Sequence, residues 1–141
     1  MSETLRVALE EALDDEYRAE ALYETAIAAF GPVRPFVQIL EAERRHADSL
    51  LQLFERYGFD PPPNRWRGQL ERPTDLGEAC RAAMAAEASN AAMYDRLIEV
   101  VAEEDVRAVF QALREATQVR HLPAVGACAA AAGTSDDPAS P

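Results

Sequence analysis

Apolar side chains recur at steps of three and four residues over four long stretches of the chain, which is the spacing of one buried helix face. The pattern predicts an all-α protein with helices over about 2–30, 35–57, 75–102 and 105–122. Ser2 is the expected N-cap of the first helix. We call the row of side chains that faces the interior the stripe of a helix. In the first helix the stripe is Leu9, Leu13, Glu16, Glu20, Tyr23, Ile27 and Phe30.

Residues that end or begin helices lie between these stretches. The segment "GPVRP" (31–35) follows the first helix, and Gly58 follows the second. The segment "DLGE" (75–78) indicates a capping box at the start of the third helix. The acidic segment "EED" (103–105) is expected to form a tight corner before the fourth.

One connection is much longer than the others. Residues 59–74, which include "DPPPNRWRGQLERPT", contain too many prolines to be a helix. A segment of this length reaches ~50 Å when extended, whereas a helix of about 20 residues is ~30 Å long. The order of short, long and short connections predicts a four-helix bundle with one crossover, as in ferritin-like folds. Trp66 and the arginines beside it are expected to pack over the bundle, with an anion or nucleic-acid patch as the alternative.

The C-terminal part contains a proline followed by small residues. Pro123 is expected to end or kink the fourth helix, although "AVGACAAAA" could add a further turn or two. The tail "GTSDDPASP" is small and polar, and we expect it to be disordered. This divides the chain into a bundle over 1–125 and an extension with a tail over 126–141.

Each predicted helix directs a metal-ligand type of side chain at the bundle interior. These side chains are Glu16, Glu43 with His46 beside the stripe, Glu87, and His121. Burying one unpaired carboxylate costs several kcal/mol, and a domain is stable by only ~5–15 kcal/mol. Because these stripes contain no lysine or arginine, we predict that bound metal neutralises them.

The two halves of the chain repeat one another. Glu16 lies seven residues before Tyr23, and Glu87 lies seven before Tyr94. The segments "ERRH" and "QVRH" each end in one of the chain's two histidines. A duplicated helix pair predicts a pseudo-twofold axis that brings two half-sites together, which is the arrangement of a dinuclear carboxylate centre.

These features resemble the ferritin-like di-iron carboxylate proteins. More narrowly, "DEYRAEALYETAIAAFGPVRPFVQILEAERRHADSLLQLFERYG" together with "RHLPAV" resembles a bacterial ferritin-like family of unknown function, over roughly residues 5–125. The resemblance implies one metal held by Glu16, Glu43 and His46, a second held by Glu87 and His121, and a bridge made by Glu43.

Several neighbouring residues also bear on such a site. Gln118 is a candidate ligand and stands where a symmetric site would have glutamate. Classical ferritins are similar in placing a glutamine in this region, so the change need not abolish iron oxidation, although we expect it to weaken the second site. Glu20 is either an additional or supporting ligand or a solvated helix residue. Asn90 is expected to bond a ligand. Tyr23 and Tyr94 are expected to be core residues with satisfied hydroxyls, with a redox role as the alternative.

The resemblance implies two iron ions, with zinc or manganese as alternatives, and a reaction with dioxygen or peroxide. The outcome would be ferroxidase activity, peroxide removal or iron handling, and whether the protein is an enzyme stays open at this point. A metal-bound scaffold without turnover, for example one with zinc, is the main alternative. A metal-free bundle with surface partners is disfavoured by the buried carboxylates.

Charge and composition exclude several classes of binding partner. With a net charge of −11 over 141 residues, the surface repels nucleic acid and anionic membranes, and we expect neither as a partner. There is no apolar run near the ~18–20 residues of a membrane span, and the start lacks the order of a signal peptide. We therefore expect a cytoplasmic protein. The tail shows no clear fifth helix of the kind that lines cage axes, which favours a homodimer or monomer.

The two cysteines are placed symmetrically around the predicted site. Cys80 lies seven residues before Glu87, and Cys128 lies seven after His121. Because the third and fourth helices are expected to be antiparallel, both cysteines fall at the same end of the bundle. If the fourth helix continues past Pro123, the two cysteines could come within the range of a disulfide or redox pair. Two separate thiols are the alternative.

Overall fold

The computed structural model describes residues 3–135, and over this range the chain is helical apart from its connections. The elements are α1 (Glu3–Phe30), α2 (Phe36–Tyr57), α3 (Leu76–Val100), α4 (Glu104–Ala116), a π-helical turn (Thr117–His121) and α5 (Leu122–Ser135). The predicted all-α class is confirmed for this range. The predicted N-cap at Ser2 lies outside the described residues, as do residues 136–141 of the tail.

Two hydrogen bonds fix the relative direction of α1 and α3. Tyr23 contacts Glu87, and Tyr94 contacts Glu16, so that the sequence numbers rise along one helix as they fall along the other. The short connections after α1 and α3 make α2 antiparallel to α1 and α4 antiparallel to α3. The described chain is therefore a bundle in which α1 and α4 run one way and α2 and α3 the other.

The long connection between α2 and α3 is fastened to α1. Arg65 donates two hydrogen bonds to Asp14, of 2.8 and 2.9 Å, and the indole of Trp66 donates a third to the same carboxylate at 3.1 Å. Further along, Arg72 donates to the carbonyl of Ala29 near the end of α1. The predicted lengthwise crossing is confirmed, and Trp66 is half-buried against the bundle as expected.

The caps of α2 and α3 follow the sequence signals in part. Gly58 ends α2 at φ +72°, a left-handed conformation that glycine adopts without a steric penalty. The Asp75 side chain accepts a 2.7 Å hydrogen bond from the backbone N–H of Glu78. The Glu78 carboxylate accepts from the Thr74 hydroxyl, so only one half of the predicted capping box forms.

The fourth helix does not end at Pro123. The alternative, a continuation through "AVGACAAAA", is confirmed and is longer than the turn or two expected. α5 continues for 14 residues to Ser135, through the predicted domain boundary after residue 125 and into the first residues of the tail. Pro123 has no N–H to donate, and it lies two residues after the π turn, at whose end the Leu122 N–H bonds to the Thr117 carbonyl. We attribute the unbroken helix to this change of bonding register next to the proline.

The fourth arm of the bundle therefore consists of α4, the π turn and α5. Val125 of α5 is fully buried, and Cys128 forms a disulfide with Cys80 of α3, their Cα atoms 5.7 Å apart. Of the two alternatives for the cysteines, the structure has the disulfide.

The core has apolar layers above and below a polar middle. One apolar layer includes Leu9, Leu50 and Phe110, and the other includes Phe36 and Val125. Between them lie the buried polar side chains, which are Glu16, Glu20, Glu43, His46, Glu87, Asn90, Thr117 and His121. The polar layer is thus enclosed at both ends of the bundle.

Among residues 3–135, no helix has the length and apolar character needed to cross a membrane.

Candidate metal centre

The four arms of the bundle bring five of the predicted ligands to one place. Each helix face that the stripes predicted is turned inward, so that the side chains meet at mid-height between the apolar layers. Their exposed fractions are 8% or less. These five residues are Glu16 from α1, Glu43 and His46 from α2, Glu87 from α3, and His121 from the end of the π turn.

Glu43 lies between two similar half-sites. On one side, the Nδ1 atom of His46 is 3.1 Å from Glu43 Oε1 and 3.6 Å from Glu16 Oε1. On the other side, the Nδ1 atom of His121 is 3.2 Å from Glu87 Oε1 and 3.6 Å from Glu43 Oε1. One carboxylate oxygen therefore faces both imidazoles.

Two tyrosines hold the outer carboxylates in matching ways. Tyr23 donates a 2.6 Å hydrogen bond to Glu87 Oε2, and Tyr94 donates to Glu16 Oε2. In both cases the Oε1 atom is left facing a histidine. The hydroxyls are satisfied, as predicted, and the exchange between α1 and α3 follows the pseudo-twofold repeat of the sequence.

The imidazoles of His46 and His121 complete the symmetry, since their rings stack at an angle of 17° with centroids 5.4 Å apart. The contacts of Asn90 break this symmetry. Asn90 donates to Asp15 at 2.7 Å and to Glu16 at 3.4 Å, and accepts from the Thr117 hydroxyl at 2.9 Å. Asn90 bonds a predicted ligand as expected, and only the Glu16 side has this support.

The cluster lacks a neutralising side chain. Among residues 3–135, the ion pairs of the three central glutamates are with histidines and not with arginines. Both oxygens of Glu43, Glu16 Oε1 and His46 Nδ1 are buried without a hydrogen-bond partner. Buried polar groups are normally paired, so these unpaired atoms are ones that a cation could use as ligands.

The surroundings shift two pKa values strongly. Burial, followed by the neighbouring Glu16 carboxylate, raises the pKa of Glu43 well above its usual range. Burial acts to lower the pKa of His46, but the close carboxylates of Glu16 and Glu43 outweigh it and raise that pKa to about 10. Without a metal, the cluster would therefore retain protons to offset its negative charge.

The donor set suits metal ions. Glu43, His46 and His121 offer one oxygen and two nitrogens that all lie within 4.8 Å of one another. The Oε1 atoms of Glu16 and Glu87 extend this group on either side. Imidazole and carboxylate donors together fit iron, zinc and manganese.

The structure does not bring Gln118 to the centre, which corrects its prediction as a ligand. Its side chain is exposed, in a surface pocket shared with Asp95 and Arg114. The π turn is wider than an α-helical turn, so the residue three before His121 is rotated further away from it. Thr117 faces the interior instead.

Glu20 is buried but lies beside the cluster and not within it. Burial raises its pKa, and the charges that act on it are those of Glu24, Arg67, Arg44 and Asp48. None of these belongs to the central group. Since Glu20 is buried, the alternative of a solvated helix residue is wrong, and its role as an additional or supporting ligand stays a prediction.

Two solved structures share this fold. A hypothetical protein, MJ0754, from Methanococcus jannaschii DSM 2661 matches with a TM-score of 0.84 and 21% identity, over 94% of this chain and 83% of that one. A conserved hypothetical protein, rv2844, from Mycobacterium tuberculosis matches with a TM-score of 0.77 and 18% identity, over 91% of this chain and 92% of that one. Neither a family model nor a curated protein matches the sequence.

Proposed function

We propose that this chain is a ferritin-like protein that binds two iron ions at mid-bundle and uses them to react with dioxygen or hydrogen peroxide. The observation that carries the proposal is Glu43. Its carboxylate is 1% exposed, both of its oxygens lack a hydrogen-bond partner, and it stands between two histidines. A bridging position between two cations accounts for all three features.

The charges and donors support two ions in preference to one. Three glutamates supply three negative charges, close to the charge needed to balance two divalent cations. Each half-site has its own carboxylate and imidazole, Glu16 with His46 and Glu87 with His121. Hard carboxylate oxygens favour iron in its oxidised state, and imidazole nitrogens suit iron in general.

The chain's own groups would position the donors for this reaction. The chemistry that bound iron supplies is electron transfer to dioxygen or peroxide. Tyr23 and Tyr94 fix the outer glutamates through Oε2 and so keep Oε1 directed inward. Burial, together with the adjacent carboxylates, raises the pKa of both tyrosines well above 10, so they remain protonated donors. The apolar layers restrict water above and below.

A single-metal scaffold is the second candidate. Its support is that Glu43, His46 and His121 form the tightest ligand group, and two histidines with one glutamate are a known zinc donor set. In this reading the metal would hold the helices together without turnover.

The proposal is tested by loading metal-depleted protein with ferrous iron without oxygen, and then adding dioxygen or peroxide. Ferric iron formation and oxidant consumption are measured for the wild type, Glu43→Gln and Glu41→Gln. Glu41 is an exposed glutamate of the same helix and serves as the matched control. The wild type and the control should oxidise iron, and Glu43→Gln should not. Tight binding of about one zinc per chain with no oxidation would favour the scaffold instead.

A further inference from the structure

A cavity of about 660 Å³ opens between α2 and the α4–α5 arm, on the histidine side of the cluster. His46 and His121 lie at its inner end. The wall is mainly apolar and consists of Pro35, Ile39, Ala42, Ala112, Leu113, Ala116 and Ala124. Its size and apolar lining are those of a small-molecule binding site.

Small side chains create this space. The wall includes Ala42 on α2 and Ala112 and Ala116 on α4, so the two helices face each other with alanine at positions where larger residues would fill the gap. The cavity therefore follows from the side chains that the sequence places on two facing helices, next to a cluster that the rest of the bundle encloses.

The charge of the cavity is opposite to that of the protein. Its lining includes Arg34, Arg45 and Arg120 and no aspartate or glutamate, although acidic residues outnumber basic ones by 25 to 14 in the chain. Elsewhere arginines pair with carboxylates, as Arg65 and Arg96 do. Within residues 3–135, the three cavity arginines have no such ion pair. A positive, unpaired rim attracts anions and repels metal cations.

We propose that this cavity binds an organic carboxylate with an apolar chain of medium length. The acid group would pair with the arginines, which recognise carboxylates through charge-assisted hydrogen bonds. The chain would cover the apolar wall and reach towards the histidines. A small inorganic anion would leave that wall wet, and a neutral chain would leave the arginines unpaired.

The binding itself depends only on the arginines and the wall. A molecule in this cavity would lie beside His46 and His121. The role of such a ligand at the metal centre therefore rests on the proposed function. The ligand class is therefore the substrate or effector class of that centre. Binding can be measured without metal, which separates the two proposals.

The first test is calorimetric titration of the metal-depleted protein with decanoate, decanol and acetate. Decanoate should bind at about one molecule per chain, and decanol should bind at least about 10-fold more weakly because it lacks the charge. Acetate should bind too weakly to detect. Equal affinity for decanoate and decanol, or no binding of decanoate, would overturn the proposal.

Variants test the location of the site. Arg120→Gln should weaken decanoate about 10-fold and leave decanol unchanged. Arg81→Gln is the matched control, since Arg81 is an exposed arginine of α3 outside the cavity. Ala112→Trp, at an exposed position of the wall, should block both ligands. Circular dichroism confirms that each variant is folded, and equal weakening by Arg81→Gln, or unchanged binding in folded Ala112→Trp, would contradict the assignment.

The outcomes also distinguish this inference from the proposed function. Decanoate binding without iron oxidation would leave the cavity assigned and remove the di-iron proposal. Iron oxidation without decanoate binding would support the di-iron proposal and remove the assignment of the cavity.

Discussion

Glu43 is the residue at which stability and binding conflict most clearly. Its carboxylate is buried beside two others, and its raised pKa means that folding without metal at neutral pH requires a proton to be bound or a charge to be buried. A residue that destabilises the empty protein is understandable if the loaded protein regains that free energy by binding metal.

Replacing Glu43 by glutamine should therefore stabilise the metal-free protein while removing its metal binding. We expect the free energy of unfolding to rise by about 1–3 kcal/mol in the presence of chelator at pH 7. Urea unfolding of Glu43→Gln and of the exposed control Glu41→Gln measures the change, and the control should stay within about 0.5 kcal/mol of wild type. A metal-free Glu43→Gln protein less stable than wild type would contradict this account of the residue.

The tyrosines offer a second test at the same scale. Tyr23→Phe removes the hydrogen bond that directs Glu87, and should weaken metal binding by about 10–100-fold, as is typical for groups that orient ligands. Tyr57→Phe is the matched control, because Tyr57 bonds Asp105 at the distant α2–α4 corner. Competition with a fluorescent chelator gives both affinities. Equal affinities for the two variants would show that Tyr23 does not position the glutamate.

At the residue scale, the sequence was a good guide where helical periodicity held. The stripes that predicted Glu16, Glu43, His46, Glu87 and His121 at the interior assume 3.6 residues per turn, and α1, α2 and α3 follow that geometry. The interior position of Thr117 also follows the stripe of the fourth helix. Asp15 was missed as a partner of Asn90 because that contact depends on how closely α1 and α3 approach. A one-helix pattern does not contain that information.

At the scale of elements, the π turn is where the assignment of Gln118 as a ligand failed. Leu113, Thr117, His121 and Val125 are all buried, and they are separated by three successive steps of four. In an α-helix each such step drifts by about 40°, so three of them would leave the interior face. This run of fours was the available signal for a wider turn, and it also marks Thr117 and not Gln118 as the interior neighbour of His121.

The disulfide gives a testable property of the α3–α5 pair. The crosslink of Cys80 to Cys128 spans 48 residues, and its loss should lower the free energy of unfolding by about 2–4 kcal/mol through the freer unfolded chain. Urea unfolding of Cys128→Ser, and of wild type with and without reductant, measures this. Two titratable thiols in the unreduced wild type would contradict the pairing, and would agree with the predicted cytoplasmic location, where disulfides are uncommon.

At the scale of the whole molecule, the order of helices and the long crossover could be predicted because proline, glycine and connection length are local features. The confirmed packing of residues 59–74 along α1 follows from the reach of the chain. The cavity between α2 and α4 could not be predicted, because it results from alanines on two separate helices meeting across a gap. The iron chemistry and the oligomeric state stay predictions.

The most direct test of the central claim, a buried two-metal centre built on Glu43, is the metal content of the loaded protein. Metal-depleted protein is equilibrated with ferrous iron without oxygen, desalted and analysed by mass spectrometry, alongside Glu43→Gln and Glu41→Gln. We predict about two irons per chain in wild type and in the exposed control, and a large loss in Glu43→Gln. Wild type that retains no iron, or Glu43→Gln that retains as much as wild type, would contradict it.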